Sequence, residues 1–270
     1  PQQLAGGPLR LGCRGFRGGS PGAAVALTAR TRTLLRLTAF QGSWNYERMQ
    51  GIGMAWASLP LLEPLEAADP VRHREAVARA AHFFNANPFL AGAAVGAAAR
   101  EELAGAPGER IERLRTALCG PLGALGDQLF WLGTVPALAA AGLIAAALGA
   151  GWWAAVGVVV AHTIFRARVG SWALGLGLAE GTAVGTAIQA SWLPRGVEWS
   201  GRLAAVLVGM VIPVAAWWLL GSAPGSRRWL AVALALVLYR LSRRARGRLS
   251  APEFTLIALA LVFLWHWSTT

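Results

Sequence analysis

Lysine is absent from this sequence, charge of either sign is scarce, and cysteine is confined to Cys13 and Cys119. Without lysine there is neither a phosphate-loop lysine nor a Schiff-base lysine, which excludes two broad groups of enzymes. Two cysteines so far apart make neither a disulfide framework nor a metal site. Charged residues are 14% of the 270, against 55% hydrophobic, well below the charged share of an ordinary soluble domain. Lipid is therefore part of the expected solvent. No Asp, Glu, Lys or Arg lies between Asp127 and Arg166 or between Arg202 and Arg227. Each gap exceeds the roughly 20 apolar residues that a hydrocarbon layer requires.

The formal net charge of +12 would suit binding to nucleic-acid phosphates. Its distribution argues otherwise. Arg240, Arg243, Arg244, Arg246 and Arg248 cluster between two apolar segments, where basic residues mark a cytoplasmic loop, so nucleic acid is not an expected partner. Residues 1–26, a mixture of Gly, Pro and Arg without an apolar core, are expected to form a loose arm, neither signal peptide nor spanning helix.

The fold class expected from the pattern is an all-α integral membrane protein, a helical bundle with amphipathic and broken or re-entrant helices and C-terminal spanning helices. In the stretch Leu27 to Phe40, Leu27, Leu34, Leu35 and Leu37 project to one side and Arg32 and Arg36 to the other. Such a helix lies on the membrane surface or packs on its own protein, and periodicity does not separate the two. Asp69 and Pro70 predict a helix start, since Asp accepts from free N–H groups and proline is preset for a first turn. That helix is expected to run to Phe84 and end by Pro88, with Glu75 and Arg79 paired one turn apart. Phe89 to Leu103, nearly all Ala, Gly and Val, predicts a helix built for close helix contact. Ala104 to Glu112 reads as a solvated loop before a short helix ending near Cys119, and Gly120 to Asp127 as a turn. Gly149 and Gly151 are expected to divide the long uncharged stretch into two helices, each short for a crossing. Leu203 to Leu220 is the cleanest span, Trp229 to Tyr239 is too short to cross unaided, and a capped helix from Ser250 to Trp267 closes the chain.

Three segments interrupt this pattern with polar groups that are costly near a membrane. The first is Gln41-Gly-Ser-Trp-Asn-Tyr-Glu-Arg-Met-Gln50, followed by Gly51 and Gly53. It offers amide, carboxylate, guanidinium and phenol groups that match sugar hydroxyls, each both donor and acceptor. The alternative is a buried Glu47 and Arg48 network that only fixes helix packing. The second is Phe83-Phe-Asn-Ala-Asn-Pro-Phe89, where Asn85 and Asn87 line a polar path or cap the next helix. The third is Gly120-Pro-Leu-Gly-Ala-Leu-Gly-Asp127, continued by Gln128 and Phe130-Trp131. It matches neither the phosphate-loop nor the dinucleotide pattern. Asp127, beside so apolar a run, is a site candidate or a helix N-cap. The candidate substrate-binding or polar-path residues are Gln41, Asn45, Tyr46, Glu47, Arg48, Asn85, Asn87 and Asp127, with no catalytic residue, metal or cofactor expected.

Taken in this order, the three segments resemble the enzyme IID component of the mannose, fructose and sorbose phosphotransferase family. The resemblance covers Leu27 to the C-terminus, treated as one domain (27–131 motif-bearing helices, 132–202 hydrophobic core helices, 203–270 C-terminal spanning helices). It implies a multi-pass, non-phosphorylated subunit of the bacterial inner membrane that pairs with a IIC membrane subunit in a higher oligomer. It also implies uptake of a mannose-type hexose, with the phosphoryl group delivered by a cytoplasmic IIB protein supplied by IIA. Phosphohistidines then belong to those partners, and His73, His82, His162 and His266 are helix-surface or core residues. On this reading Asn45 and Glu47 contact hydroxyls or hold the partner's loops, Arg48 neutralises Glu47, and Asp127 anchors the glycine turn. Ala80, Asn87 and Gln128 depart from the family's usual residues, which leaves open a diverged subunit that docks or regulates without transport. An independent channel or carrier ranks lower, because intramembrane charge is sparse and no inverted repeat is evident. With the arginine cluster inside the cell, Thr270 lies outside. A topology reporter fused after Thr270 is expected to be active on the external side, and activity confined to the cytoplasm overturns that orientation.

Overall fold

The computed structural model describes the backbone of residues 21–220 and the side-chain surroundings of residues 29–215. The readings placed on Trp229 to Tyr239, the arginine cluster, Ser250 to Trp267, Cys13 and His266 lie outside the described residues. Within them the chain is helical: α1 (Pro21–Leu37), α2 (Gly51–Ala68), α3 (Pro70–Ala80), α4 (Ala91–Leu103), α5 (Gly108–Asp127), α6 (Val135–Ala145), α7 (Trp152–Glu180), α8 (Val184–Ala190) and α9 (Leu193–Leu220). A π-helical turn, Gln128–Thr134, joins α5 to α6 without a break.

Asp69 caps α3 as its sequence predicts, its side chain accepting from the N–H groups of Val71 and Arg72 at 3.2 and 3.0 Å. Glu75 and Arg79 approach to 3.7 Å, but the stronger partner of Arg79 is the buried Glu102 of α4, at 2.8 Å. That hydrogen bond, reinforced by charge, holds the Arg79 guanidinium above the ordinary arginine value. The helix ends at Ala80 and not at Phe84, because Arg115 takes the carbonyls of Arg79, Ala80 and His82. Four carbonyls at a helix end need partners outside the helix, and here a guanidinium supplies donors. The chain then runs non-helically to α4, which starts at Ala91, two residues later than expected.

α1 packs on its own protein along part of its apolar side. Leu34 and Leu37 rest against the core and Thr33 is buried, whereas Leu35 is 65% exposed. Arg32 reaches Glu63 of α2 through paired 2.6 Å hydrogen bonds, an exposed contact that fixes register more than it adds stability. α2, unassigned from the sequence pattern, contributes Met54, Leu61, Leu62 and Leu65 to the core.

The loop expected over Ala104 to Glu112 shrinks to the residues between Leu103 and Gly108, and the expected turn over Gly120 to Asp127 is helix. Glycine lowers helix propensity, but tertiary packing decides helix formation in a folded chain. At Gly126 a Cβ would stand 2.2 Å from Asn87 Cβ, so the glycine serves close approach and not a turn. The first half of the uncharged stretch therefore fuses with α5 into one rod, Gly108–Ala150, long and apolar enough to cross a membrane, as is Leu193–Ala215. The expectation that it was too short fails for that reason. The break itself falls where expected, with Gly149 and Gly151 at positive φ (99° and 55°).

α4 shows why its small residues are there. Ala91 to Ala99 are all buried, and α4 and α7 touch backbone to backbone. A Cβ on Gly177 would meet Ala93 O at 2.2 Å, and one on Gly96 would meet Leu174 O at 2.6 Å. Approach this close gains dispersion along the whole contact without long side chains. Gly177→Leu is expected to lower the melting temperature of the detergent-solubilised protein, at a cost of at least about 1–3 kcal/mol. Gly157→Leu, on the same helix at a position where a Cβ would meet nothing within 4 Å, is expected to leave it unchanged. Equal effects refute the close-contact account.

Candidate functional site

The first polar segment folds as a turn closed by its own asparagine. After the short 3-10 turn Phe40–Ser43, Asn45 Oδ1 accepts from the N–H groups of Glu47 and Arg48 at 3.1 and 2.9 Å, and its Nδ2 donates to Ser43 O at 3.2 Å. Asparagine is suited to this because its short amide imitates a backbone group. Asn45 and Met49 also exchange backbone hydrogen bonds, with Met49 at φ 52°, a left-handed conformation that costs a side-chain-bearing residue roughly 1–2 kcal/mol. Tyr46, Glu47 and Arg48 project from this turn and are exposed, Tyr46 at 86%. The expected Glu47–Arg48 pair does not form among the described residues, since consecutive residues of a tight turn point apart. Within this chain Glu47 and Arg48 are exposed and form no buried network.

Gln50 joins the first segment to the second. It is 3% exposed, its Nε2 donates to Ala86 O and its Oε1 accepts from Ala86 N–H, both at 2.9 Å. Gln50 N–H donates to Phe84 O at 2.9 Å. One side chain thus replaces the ladder partner that an extended segment lacks among helices. Gly51 and Gly53 permit this seat: a Cβ would stand 2.1 Å from His82 O at the first and 1.9 Å from Phe40 O at the second.

Asn87 joins the second segment to the third. Its Nδ2 donates to Asp127 Oδ1 at 2.9 Å, and its Oδ1 accepts from Phe89 N–H at 3.0 Å. Asn87 thus faces Asp127, while its Oδ1 takes an N–H two residues ahead of α4, whose own N-cap, Leu90, has no side-chain cap hydrogen bond. Asp127 lies within a continuous helical run, so it neither caps a helix nor anchors a turn, which corrects both expectations. It is exposed.

These ties surround a cavity of about 560 Å³. Of the residues expected from sequence, Gln41, Asn85, Asn87 and Asp127 line it, whereas Asn45, Tyr46, Glu47 and Arg48 do not. Sequence reasoning missed Gln50, Phe83, Cys119 and Trp131 as lining residues. It also missed Arg115, 3% exposed, whose guanidinium holds the carbonyls behind the cavity wall and forms no ion pair among the described residues. Phe83 and Trp131 stand inside the motifs, where aromatic rings beside polar groups are a signal; nothing in the sequence marked Arg115.

A family model described as "PTS system mannose/fructose/sorbose family IID component" matches residues 25–217. The chain belongs to this IID family. It is similar to the mannose-specific EIID component of Escherichia coli (strain K12), 38% identical over 114 residues covering 40% of each chain. It is 36% identical to the fructose permease IID component of Bacillus subtilis (strain 168) over 114 residues, 40% of this chain and 41% of that one. It is 28% identical to the sorbose-specific EIID component of Lacticaseibacillus casei over 179 residues, 64% and 62% of the two chains. The match thus spans about two fifths of the mannose and fructose relatives. Among solved structures, one of the mannose transporter ManYZ with microcin E492 aligns at TM-score 0.54, and one of a membrane protein at 0.63. Each is 20% identical, covering 90% of this chain and 96% of the other. At that identity they establish the fold.

In this IID component the buried amide is expected to be the pin of the site. Gln50→Leu orphans the N–H and C=O of Ala86, at about 1–3 kcal/mol for each unsatisfied group. Hydrogen exchange at the Ala86 amide is expected to accelerate by about tenfold or more, and unchanged protection would show that the segment is held by something else.

Proposed function

We propose that the chain is the IID subunit of a sugar phosphotransferase complex and lines, with a IIC membrane subunit, the translocation path of a mannose-type hexose. The complex sits in the bacterial cytoplasmic membrane, with the subunit crossing it several times and IIC–IID pairs assembling into a higher oligomer. Cytoplasmic IIB and IIA proteins carry the phosphoryl group, and this chain positions the sugar without reacting. The observation that carries the reading is the convergence of the three polar segments on one cavity. Relatives named for mannose, fructose and sorbose support the substrate class.

The chemistry fits a polyol. Asp127 Oδ1 is already taken by Asn87, which leaves Oδ2 to accept from a sugar hydroxyl. A hydrogen bond to a charged group contributes about 1.5–3 kcal/mol. The amides of Gln41 and Asn85 supply donors and acceptors, and Phe83 and Trp131 offer ring surface for the C–H face of a sugar. Tyr46, Glu47 and Arg48, outside the cavity, are assigned to holding the partner's loops.

In cells that also produce IIC, IIB and IIA, Asp127→Ala is expected to cut sugar uptake about tenfold or more, in proportion to one lost charged hydrogen bond. Asn45→Ala is expected to reduce it through loss of the turn. Copurification of IIC with each variant shows whether assembly is intact, and normal uptake by the assembled variants removes Asp127 from the path and the Asn45 turn from its support. The departures at Ala80, Asn87 and Gln128 favour a second reading, a subunit that docks IIC without transporting. Assembly of the unsubstituted chain with IIC, IIB and IIA but no uptake would select it.

A further inference from the structure

Among the described residues, Asp127 is the one charged side chain on the wall of the cavity, where it stands among amides, small residues and two aromatic rings. The basic side chains packed behind this wall are engaged elsewhere, and Arg166 of α7 faces the adjoining pocket, which shares Gln41 and Pro88 with this one but not Asp127. Arg115 donates to the carbonyls of Arg79, Ala80 and His82. Arg79 and Arg72 both approach Glu102, and His82 Nδ1 lies 2.5 Å from Glu112 Oε1. The start of α4 is a place where an anion would ordinarily be welcome, because free N–H groups point outward there. Here the N–H groups on the cavity side are taken: Phe89 N–H donates to Asn87 Oδ1, the N–H groups of Leu90 and Ala91 donate to Asn87 O at 3.1 and 3.0 Å, and Ala93 N–H donates to Leu90 O at 3.0 Å. The Gln50 amide is spent on Ala86. Phosphate recognition relies on guanidinium forks, lysine or open helix starts, and among its described residues this wall presents none of them.

Resting on the sugar-path reading above, we propose that Asp127 is a specificity-determining residue that makes the cavity accept uncharged sugars and reject anionic ones, sugar phosphates above all. Phosphoryl transfer from a phosphohistidine on a carrier protein forms an O–P bond at a sugar hydroxyl and breaks the donor P–N bond. The hydroxyl proton passes to the donor imidazole. A neutral sugar thereby acquires about −1.5 to −2 of charge at pH 7. Beside an uncompensated carboxylate the substrate is held and its phosphorylated product is pushed out, so the charge created by the reaction opposes its return. The repulsion is set by like charge across a partly hydrated cavity, which makes it sensitive to ionic strength.

The test uses the full chain copurified with its IIC partner in lipid nanodiscs, with binding followed by radiolabelled D-mannose and competition by unlabelled methyl α-D-mannoside and D-mannose 6-phosphate. The unsubstituted complex is expected to bind the neutral sugars at least about tenfold more tightly than the phosphate at low salt, with the gap narrowing at high salt. Asp127→Asn, which keeps the shape and an acceptor for Asn87, is expected to bring the two affinities within about threefold of each other. Ala124→Lys, which adds a cation at an exposed lining position that is given no sugar contact, is expected to narrow the gap as well and supplies the ratio should Asp127→Asn bind no sugar. If the neutral sugar binds and the ratio is the same in both variants as in the unsubstituted complex, the charge-selection proposal is wrong and the sugar path stands. If the unsubstituted complex binds no neutral sugar, the sugar path itself fails.

Discussion

A non-helical segment set among helices must find partners for every buried backbone group, and that constraint organises this protein. Between the end of α3 and the start of α4 the chain runs from Ala81 to Leu90 without a helical ladder of its own. At membrane depth such backbone survives only when protein or a wet cavity satisfies it. Three side chains meet the demand. Arg115 takes the carbonyls at its start, Gln50 takes both polar groups of Ala86, and the Asn87 side chain takes the Phe89 N–H near its end, where the Asn87 carbonyl also accepts from Leu90 and Ala91. The cavity is what remains on the open side of this segment, and its polar lining is a consequence of how the segment is held.

Close approach is the second half of the same constraint. An amide as short as that of Gln50 or Asn87 reaches its target only if the backbones are brought almost into contact. Gly51, Gly53 and Gly126 each stand where a Cβ would meet a neighbour at 1.9–2.2 Å. Among the glycines read as a turn over Gly120 to Asp127, Gly126 is a packing residue, whereas Gly120 meets nothing within 4 Å. Gly126 makes the distinction plain, since it lies in a helix and its missing side chain is the space that Asn87 occupies.

That misreading explains what was legible in the sequence and what was not. The Asp69–Pro70 start, the break at Gly149 and Gly151, and the small-residue helix α4 were readable because each rests on a local rule: a cap, a positive φ, a period of small residues. The turn expected over Gly120 to Asp127 failed because glycine spacing has the same appearance whether it bends a chain or admits a neighbour. The role of Arg115 was invisible, as nothing local tells a helix arginine that faces solvent from one that reaches a carbonyl of another helix. Asn45 was read as a ligand because its type suits sugar hydroxyls, yet its side-chain oxygen is occupied within its own turn. Asn87 and Asp127 were both named from their own segments, although no sequence rule predicted that these two would meet.

The unevenness of burial then gives the polar wall its setting. The part of the chain from α2 to α5 is packed around Phe84, Leu90 and Leu122, each fully buried. The helices beyond it leave large apolar side chains open, among them Trp152, Trp153, Val159, Val206 and Ile212, far more than an isolated soluble protein keeps in contact with water. A polar cavity costs little where water reaches it, and an apolar face costs little where lipid or another helix covers it. Only a chain placed with its motif-bearing helices at a hydrated seam and α7 and α9 against apolar surroundings meets both conditions at once. That arrangement accords with the IID family to which the chain belongs.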